Sequence, residues 1–329
     1  MIESKPFKTY NQQLKILRER GLEVPTNGKP KRALEKIGYY TLINGYKPLF
    51  LAKDTHGKVI HPERFIPGAS FNEILSLYNL DKELRSILYN GLLFYETSLG
   101  AQISYYFSER YPERHSYLAM DNFTDDPKKV ARVLRTINSL STVINRSVAD
   151  HKENAIKHYV NKHRHVPLWV LVDFLTFGDL NYFYGNCTDE VKINIAKNFT
   201  QRHKREYSQR KMNSITPDTI EAINHLVNLF RNAVAHNEIT YSKYMYKSSK
   251  LKSLKSILNL PKLPISDQAG VFELIMSLKV VLDKAEFKKL ARDIDRLLDF
   301  YKEDFQSVSF IGILQDMHFP ENYKEFLTI

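Results

Sequence analysis

Ser70-Phe71-Asn72-Glu73-Ile74-Leu75-Ser76-Leu77-Tyr78 opens the stretch that decides the fold. A serine followed three residues later by a glutamate is a capping box, in which each side chain satisfies a backbone N–H that the first helical turn leaves bare. Beyond it Leu84, Ile87, Leu88, Leu92, Tyr95, Leu99, Ile103 and Phe107 continue a three-and-four spacing, and no proline intervenes until Pro112. One long helix with an apolar face is the expectation, with Gly91 and Gly100 as the positions where it would bend.

Upstream, Thr9 to Gln12 is a second capping box before Leu14, Ile16 and Leu17, and Gly21 is a natural stop. From 21 to 70, Gly28, Pro30, Gly38, Gly45, Pro48, Gly57, Pro62, Pro67 and Gly68 interrupt the chain every few residues, so irregular structure is expected, with short strands such as Lys58-Val59-Ile60. Downstream, Asp126-Pro127 caps a helix through Val130, Val133, Leu134, Ile137, Leu140 and Ile144. The most apolar segment, Pro167 to Gly178, reads as one buried helix that Gly178 ends. Thr216-Pro217 starts another, running to about His236, and two amphipathic helices follow over 272–282 and 287–300. The chain is mostly α. An N-terminal helix with an irregular segment covers 1–70, a helical domain 71–242, and a basic segment with C-terminal helices 243–329.

Forty-eight Lys and Arg against 37 Asp and Glu give a formal charge of +11, which suits a polyanionic partner, nucleic acid before an anionic membrane surface. The excess is clustered. Lys243, Lys247, Lys250, Lys252, Lys255 and Lys262 stand in a stretch without a single acid, and Arg202, Lys204 and Arg205 belong to a run from Lys197 to Lys211 whose one acid is Glu206. The Lys243–Lys255 lysines with Arg202, Lys204 and Arg205 are the candidate RNA-binding residues, although solvated surface is the plainer reading of any lysine-rich run. The opening six residues carry no apolar signal-peptide core and no apolar run reaches 18 residues, so the cytoplasm, with no membrane contact, is expected. A single cysteine, Cys187, allows no internal disulfide, and it has no obvious base beside it for nucleophilic work.

The chemistry-bearing pattern is Arg231-Asn232-Ala233-Val234-Ala235-His236. It joins a permanent cation to an imidazole, a combination able to act on a phosphodiester without a metal. The spacing alone is weak: with 17 Arg and 11 His, chance supplies roughly half of one such pair, and the chain has three. On a helical wheel Ile223, Leu226, Val227, Phe230, Ala233 and Val234 form an apolar stripe, and Asn228, Arg231, Asn232, Ala235 and His236 lie opposite. Asn232 stands one turn before His236, where its amide could orient the ring. The competing reading makes His236 a helix C-terminal residue favoured by the macrodipole and Arg231 a member of a surface ion pair. Of the rival pairs, Arg110 to His115 spans Pro112, and Arg146 to His151 lacks the asparagine. His151, His158, His163 and His165 sit among lysines and arginines that would repel a cation, so no metal ligand and no cofactor is assigned. Glu96 is the only charge between Gly91 and Phe107; it either snorkels to solvent or meets a cation such as Arg231 inside the bundle.

Several segments in order resemble the Abi family of bacterial abortive-infection proteins, of the AbiD/AbiF type: Lys5-Pro6-Phe7 with Gln13-Leu14 and Arg20-Gly21-Leu22, Ile37-Gly38-Tyr39-Tyr40 with Gly45-Tyr46, Tyr78 with Asp81-Lys82-Glu83-Leu84-Arg85, Pro167 to Val172 with Phe177-Gly178, and Arg231 to Asn237. That family is similar to HEPN proteins, α-helical ribonucleases whose Arg-x4-His motif carries catalysis. The resemblance implies a HEPN-like helical bundle with a C-terminal helical extension, Arg231 and His236 as the catalytic pair, and Asn232 as the intervening polar residue; from their own positions in the sequence, Asn228 and Glu96 are possible supports. It further implies a metal-independent endoribonuclease leaving 2′,3′-cyclic phosphate ends, acting as an anti-phage toxin, with RNA as substrate and a noncoding RNA as possible restraint. HEPN nucleases usually join two motifs in one cleft, so a homodimer is implied. Asn237 stands where relatives commonly carry a second histidine. A non-catalytic RNA-binding regulator, or a protein-interaction module in phage defence, remains the alternative.

Overall fold

The structure is a computed structural model and describes residues 6–208, 213–246 and 248–328. Lys5, Lys247 and the Arg210-Lys211 end of the first basic run lie outside the described residues.

Both capping boxes form. Helix α1 (Tyr10–Glu19) starts at Thr9, whose amide donates to Gln12 Oε1 at 2.9 Å, and it stops before Gly21 at φ 91°. The segment from 21 to 70 is more helical than its breakers suggest. Pro30 lies in the first turn of α2 (Lys29–Ile37), where the missing N–H costs no bond, and Gly38 ends that helix at φ 86°. The same residues that read as interruptions serve as caps. Lys58-Val59-Ile60 forms no named strand; Val59 makes an isolated bridge to Lys53 across a turn that the Asp54 carboxylate holds through the His56 and Lys58 amides.

Helix α3 (Phe71–Arg110) is 40 residues long, about 60 Å at the α-helical rise, and is the spine of the molecule. Ile74, Leu77, Leu80, Leu84, Leu88, Leu92, Tyr95, Leu99, Ile103 and Phe107 are all buried along one face. The helix runs unbroken through Gly91 and Gly100. Both face packed neighbours, and an added methyl would meet them at ordinary van der Waals distance: a Cβ on Gly91 would stand 3.5 Å from Leu278 and Leu290, and one on Gly100 3.6 Å from Leu180 and Val172. Glu73 does more than close its capping box, since it also accepts from the Gln306 and Ser307 amides at 2.8 and 2.7 Å. Burial pushes this carboxyl upward, yet the amides of Ser307, Gln306 and Ser70 together hold it below its usual range.

After α4 (Val130–Ala149) and α5 (Ala155–His163), the apolar stretch from Pro167 breaks in two, against the expectation of one helix ended by Gly178. A short α6 (Leu168–Leu171) runs into a 3-10 turn, and α7 (Phe177–Asn186) begins anew because Thr176 and Asp179 form a further capping box. Gly178 therefore lies in the first turn of α7, and Trp169 stays 58% exposed. Then come α8 (Asp189–Glu206), α9 (Pro217–Ala235) and α10 (Leu254–Ile257), with strands β1 (Met245–Tyr246) and β2 (Gln268–Ala269) paired antiparallel. Helix α11 (Val271–Val281) is buried on every side and is not amphipathic; it is packed among α3, α8, α9 and α12 (Lys284–Tyr301). Its two charges are answered internally, Glu273 by the Gly270 amide and Lys279 by the Phe326 and Thr328 carbonyls. Helices α13 (Phe310–Asp316) and α14 (Tyr323–Leu327) finish the chain, so the C-terminal third packs into the core. Among the described residues no helix is long and apolar enough to cross a membrane.

One buried polar cluster joins distant segments. The fully buried Asp81 carboxylate is paired with Arg85 and accepts from the Tyr46 hydroxyl at 2.6 Å, the Tyr241 amide at 2.7 Å and the Thr240 amide at 3.1 Å. Arg85 also donates to the Glu238 carbonyl at 3.1 Å. Removing the carboxylate leaves a buried guanidinium and two amides unpaired, so Asp81→Ala should lower unfolding free energy by roughly 3–5 kcal/mol, read as a fall in the urea midpoint at unchanged slope. A drop below about 1 kcal/mol would show the cluster to be replaceable.

His203 supplies a second expectation. Its ring is buried, stacked on Tyr207 at 4.3 Å, with Nδ1 3.2 Å from the Val280 carbonyl and Nε2 without a partner among the described residues. Burial pushes it down to about 4. The unfolded chain takes up a proton on this imidazole near its ordinary value, and the folded chain does so only far lower. Stability from this group is thus complete above about pH 6.5 and is lost as pH falls toward 4. Between about pH 7.5 and 5 the loss should reach about 2 kcal/mol. Thermal melts should show that slope in the wild type and a flatter one in His203→Phe; equal slopes would remove His203 from the acid response.

Candidate active site

Helix α9 is set by its ends and its apolar stripe. Thr216 caps its first turn onto the Thr219 amide, and Ile223, Leu226, Val227, Phe230, Ala233 and Val234 are buried against the neighbouring helices. This leaves Arg231, Asn232 and His236 on the open side. The helix ends at His236, where the Asn237 amide reaches the Val234 carbonyl and the Glu238 amide reaches that of Ala233 at 2.9 Å. That double return is a Schellman closure and requires a left-handed residue, which Asn237 supplies at φ 54°. Asparagine tolerates this conformation better than most side chains, which gives its presence here a physical reason.

Arg231 is held, and held by one edge. Its Nε donates to Glu96 Oε2 at 2.9 Å, and its guanidinium lies 5.1 Å over the Tyr89 ring. The partner anticipated for Glu96 is therefore the one it has. Both side chains are largely covered, 21% and 16% exposed, so the pair is screened less than a surface bridge. Among the described residues neither Nη atom has a protein acceptor. His236 is exposed, and neither ring nitrogen has a protein partner among the described residues. The Asn232 side chain does not orient that ring as its position suggested; what reaches His236 is the Asn232 backbone carbonyl, accepting the His236 amide at 3.0 Å. Asn228 is half-buried with Oδ1 unpartnered, 3.6 Å from where a Cβ on Gly178 would stand.

The basic residues divide. Lys243 pairs with Glu238, and that hydrogen bond, with the lysine's own charge, holds the Glu238 carboxyl below its usual range. Lys250 pairs with Asp218 at 3.3 Å, Lys252 with Asp267 at 2.8 Å and Arg205 with Glu206 at 3.7 Å. Such exposed pairs are worth about 0–1 kcal/mol and yield readily to a phosphate. Lys204 and Lys255 have no ion-pair partner among the described residues. Arg202 differs from the surface contact its charge suggested: it donates to the Val281 carbonyl and to Ser98 Oγ at 2.8 Å, meets Asp283 at 3.2 Å, and lies over Phe199. It ties α8 to α3 and to the end of α11.

The rival Arg-x4-His pairs do not converge. Arg110 is bound to Glu190 at 2.6 Å, while His115 turns toward His165 and the Val166 amide. Cys187 is fully buried and its thiol is pushed up to about 12 by burial. Two supports of the candidate site were not read from sequence. Tyr89 had a faint signal, its place two turns before Glu96; the tie from Asp81 to the backbone of 240–241 had none.

A family model described as Abi-like protein matches residues 32–242, almost two thirds of the chain. No curated protein matches the chain, and no solved structure does. The match takes in α3, the whole of α9 and the Thr240-Tyr241 segment that Asp81 holds. This chain belongs to the family of Abi-like proteins, and its family points to abortive infection as the setting in which it acts.

Proposed function

We propose that this protein is an endoribonuclease of the HEPN type that serves phage defence by cutting RNA, with Arg231 and His236 as its catalytic pair. The observation that carries the reading is the division of labour on one guanidinium: Nε is spent on Glu96 while both Nη atoms stay open among the described residues, five residues before an exposed imidazole. A fixed arginine fork of this kind suits phosphate oxygens.

The inferred reaction is attack of an RNA 2′-hydroxyl on its adjacent phosphorus. The bond to the 5′-oxygen breaks, giving a 2′,3′-cyclic phosphate and a free 5′-hydroxyl. A base takes the proton of the attacking hydroxyl and an acid returns one to the leaving oxygen. His236 fills one of these roles, an effect typically worth about 10²–10⁴ in rate, and Arg231 meets the charge that develops on the phosphoryl oxygens. Both proton transfers need a partner and each chain offers one exposed imidazole at the site. The complete site is therefore a two-fold homodimer with the two Arg231–His236 pairs facing each other. Lys243, Lys250, Lys252 and Lys255 would follow the phosphate backbone beyond the cleft, and a noncoding RNA bound along the same surface would restrain the enzyme. A second reading, RNA binding without catalysis, draws on Asn237 in the place of a second histidine.

The two readings separate in one assay. Purified protein incubated with RNA in EDTA should cut it, and Arg231→Ala and His236→Ala should each slow cutting at least about 100-fold. Cutting that survives both variants removes the pair from the mechanism, and salt-sensitive RNA binding with no cutting under any condition favours the regulator. Glu96→Ala, which frees the guanidinium, should lower kcat roughly tenfold with little change in RNA affinity. Light scattering at micromolar concentration should give twice the 38.5 kDa chain mass; a monomer that cuts RNA would overturn the composite site.

A further inference from the structure

Helices α4 and α7 part around a cavity of about 450 Å³, within the ordinary range for small-ligand sites. On α4 its wall is Arg132, Arg135 and Ser139, spaced so that they share one helix face, with Leu140 beside them; on α7 it is Asp179 and Tyr182. The only acid in the wall is already engaged. Asp179 Oδ2 accepts from the Thr176 amide at 3.0 Å and its hydroxyl at 2.6 Å, and Oδ1 accepts from the Ser139 hydroxyl at 2.6 Å. Neither arginine has an ion-pair partner among the described residues. Arg132 instead lies 5.9 Å over the ring of Tyr182, which is 53% exposed. Two guanidiniums without ion-pair partners among the described residues, a half-exposed aromatic ring and the Leu140 side chain thus meet in one concavity.

The cavity also has an address relative to the candidate active site. Arg132 lies within electrostatic reach of the exposed His225 on α9: partial desolvation of that ring, with Arg132 and Lys250 adding repulsion against the opposing pull of Glu221, holds it below its ordinary range. His225 precedes His236 by eleven residues of the same helix, roughly 16 Å at the α-helical rise. A single strand lying along the open side of α9 would pass from one to the other within a few nucleotides.

We propose that this cavity is a nucleotide subsite, in which a base stacks on Tyr182 against Leu140 and its phosphate is forked by Arg132 and Arg135. The required ligand is a nucleobase carrying a phosphate, which either an RNA strand or a free mononucleotide supplies. Where the ligand is RNA, the inference rests on the nuclease reading above and adds to it a holding point upstream or downstream of the cut. Arginine is suited to the role because its planar fork matches phosphate oxygens while its face stacks on aromatic rings. Stacking on tyrosine is tolerant of sequence, so the subsite grips a strand without choosing its bases.

The test is binding by the full chain. Calorimetry with AMP and with inorganic phosphate, and anisotropy with a labelled single-stranded RNA, are run on the wild type, Tyr182→Ala, Tyr182→Phe and the double variant Arg132→Gln/Arg135→Gln. AMP should bind more tightly than phosphate. Tyr182→Ala and the double variant should weaken AMP binding roughly tenfold or more, and Tyr182→Phe should keep it. Parallel loss of RNA affinity identifies a strand as the ligand, and unchanged RNA affinity identifies a free nucleotide. Equal AMP affinity in all four proteins, or phosphate binding as tight as AMP, overturns the subsite. His236→Ala lies outside this cavity and separates the two proposals. A chain that cuts no RNA but loses AMP affinity with Tyr182→Ala overturns the nuclease reading alone. One that cuts RNA through His236 with equal AMP affinity in every variant overturns the subsite alone.

Discussion

The constraint on which the candidate site depends is the burial of one carboxylate. Asp81 has no exposure to water, and a charge so placed is tolerable only if its oxygens are fully engaged. Burial pushes its carboxyl upward, while Arg85, the Tyr46 hydroxyl and the amides of Thr240 and Tyr241 pull it back. Those donors come from three regions of the chain. Satisfying Asp81 therefore fixes the N-terminal segment at Tyr46, the long helix at Arg85, and the strand of backbone that leaves α9 just after His236. Arg85 adds a bond to the Glu238 carbonyl, two residues beyond the histidine. The imidazole is free in its ring and pinned in its backbone.

The same device recurs along α3. Glu73 gathers the amides of 306 and 307, Glu83 accepts from the Tyr301 hydroxyl at 2.8 Å, Tyr95 donates to Asn224 at 2.6 Å, and Glu96 receives Arg231. Polar residues on this helix are stations at which distant segments are tied, and the apolar stripe between them supplies the packing energy. The arrangement explains why the C-terminal helices are not an appendage. Tyr301, Gln306 and Ser307 are bound to the first turns of α3, and α11 lies inside the bundle, so the last third of the chain helps hold the helix that carries Glu96. Gly91 lies at that contact, where an added Cβ would stand 3.5 Å from Leu278 and Leu290.

Much of this was legible because helix starts are written in side chains. The capping boxes at Thr9 and Ser70 and the prolines at 127 and 217 each announce a helix by a local bond that needs no knowledge of the fold. The box at Thr176 escaped notice because the run around it is so apolar that it reads as continuous, and α2 escaped because Pro30 and Gly38 read as breakers before they read as ends. Glu96 could be singled out as the lone charge in an apolar stretch, and a buried charge needs a partner. Asp81 could not be resolved in the same way, since two of its four donors are backbone amides about 160 residues away and a backbone N–H leaves no trace in sequence. Arg202 misled for a related reason: a basic run looks like surface, and only the fold reveals that one of its members ends at a helix carbonyl.

The termination of α9 bears on how a complete reaction could be assembled. A helix that stops at His236 by a Schellman closure must place the next residue at positive φ, a conformation that Asn237 adopts at φ 54°. Asn237 thus favours a sharp end, and a sharp end sends the chain at once to the amides that Asp81 requires. Asn237 brings no second titratable ring to that position. On the proposed reading, the Arg231 guanidinium held by Glu96 would supply charge stabilisation within one chain, and the imidazole five residues on would supply a single proton carrier. Cyclising cleavage moves two protons, one from the attacking oxygen and one to the leaving oxygen. On the proposed reading the missing carrier has to come from outside the chain's own site, and a second copy related by a two-fold axis brings another imidazole in the same protein-imposed orientation. The turn that fixes His236 and the need for a partner then follow from the same residue.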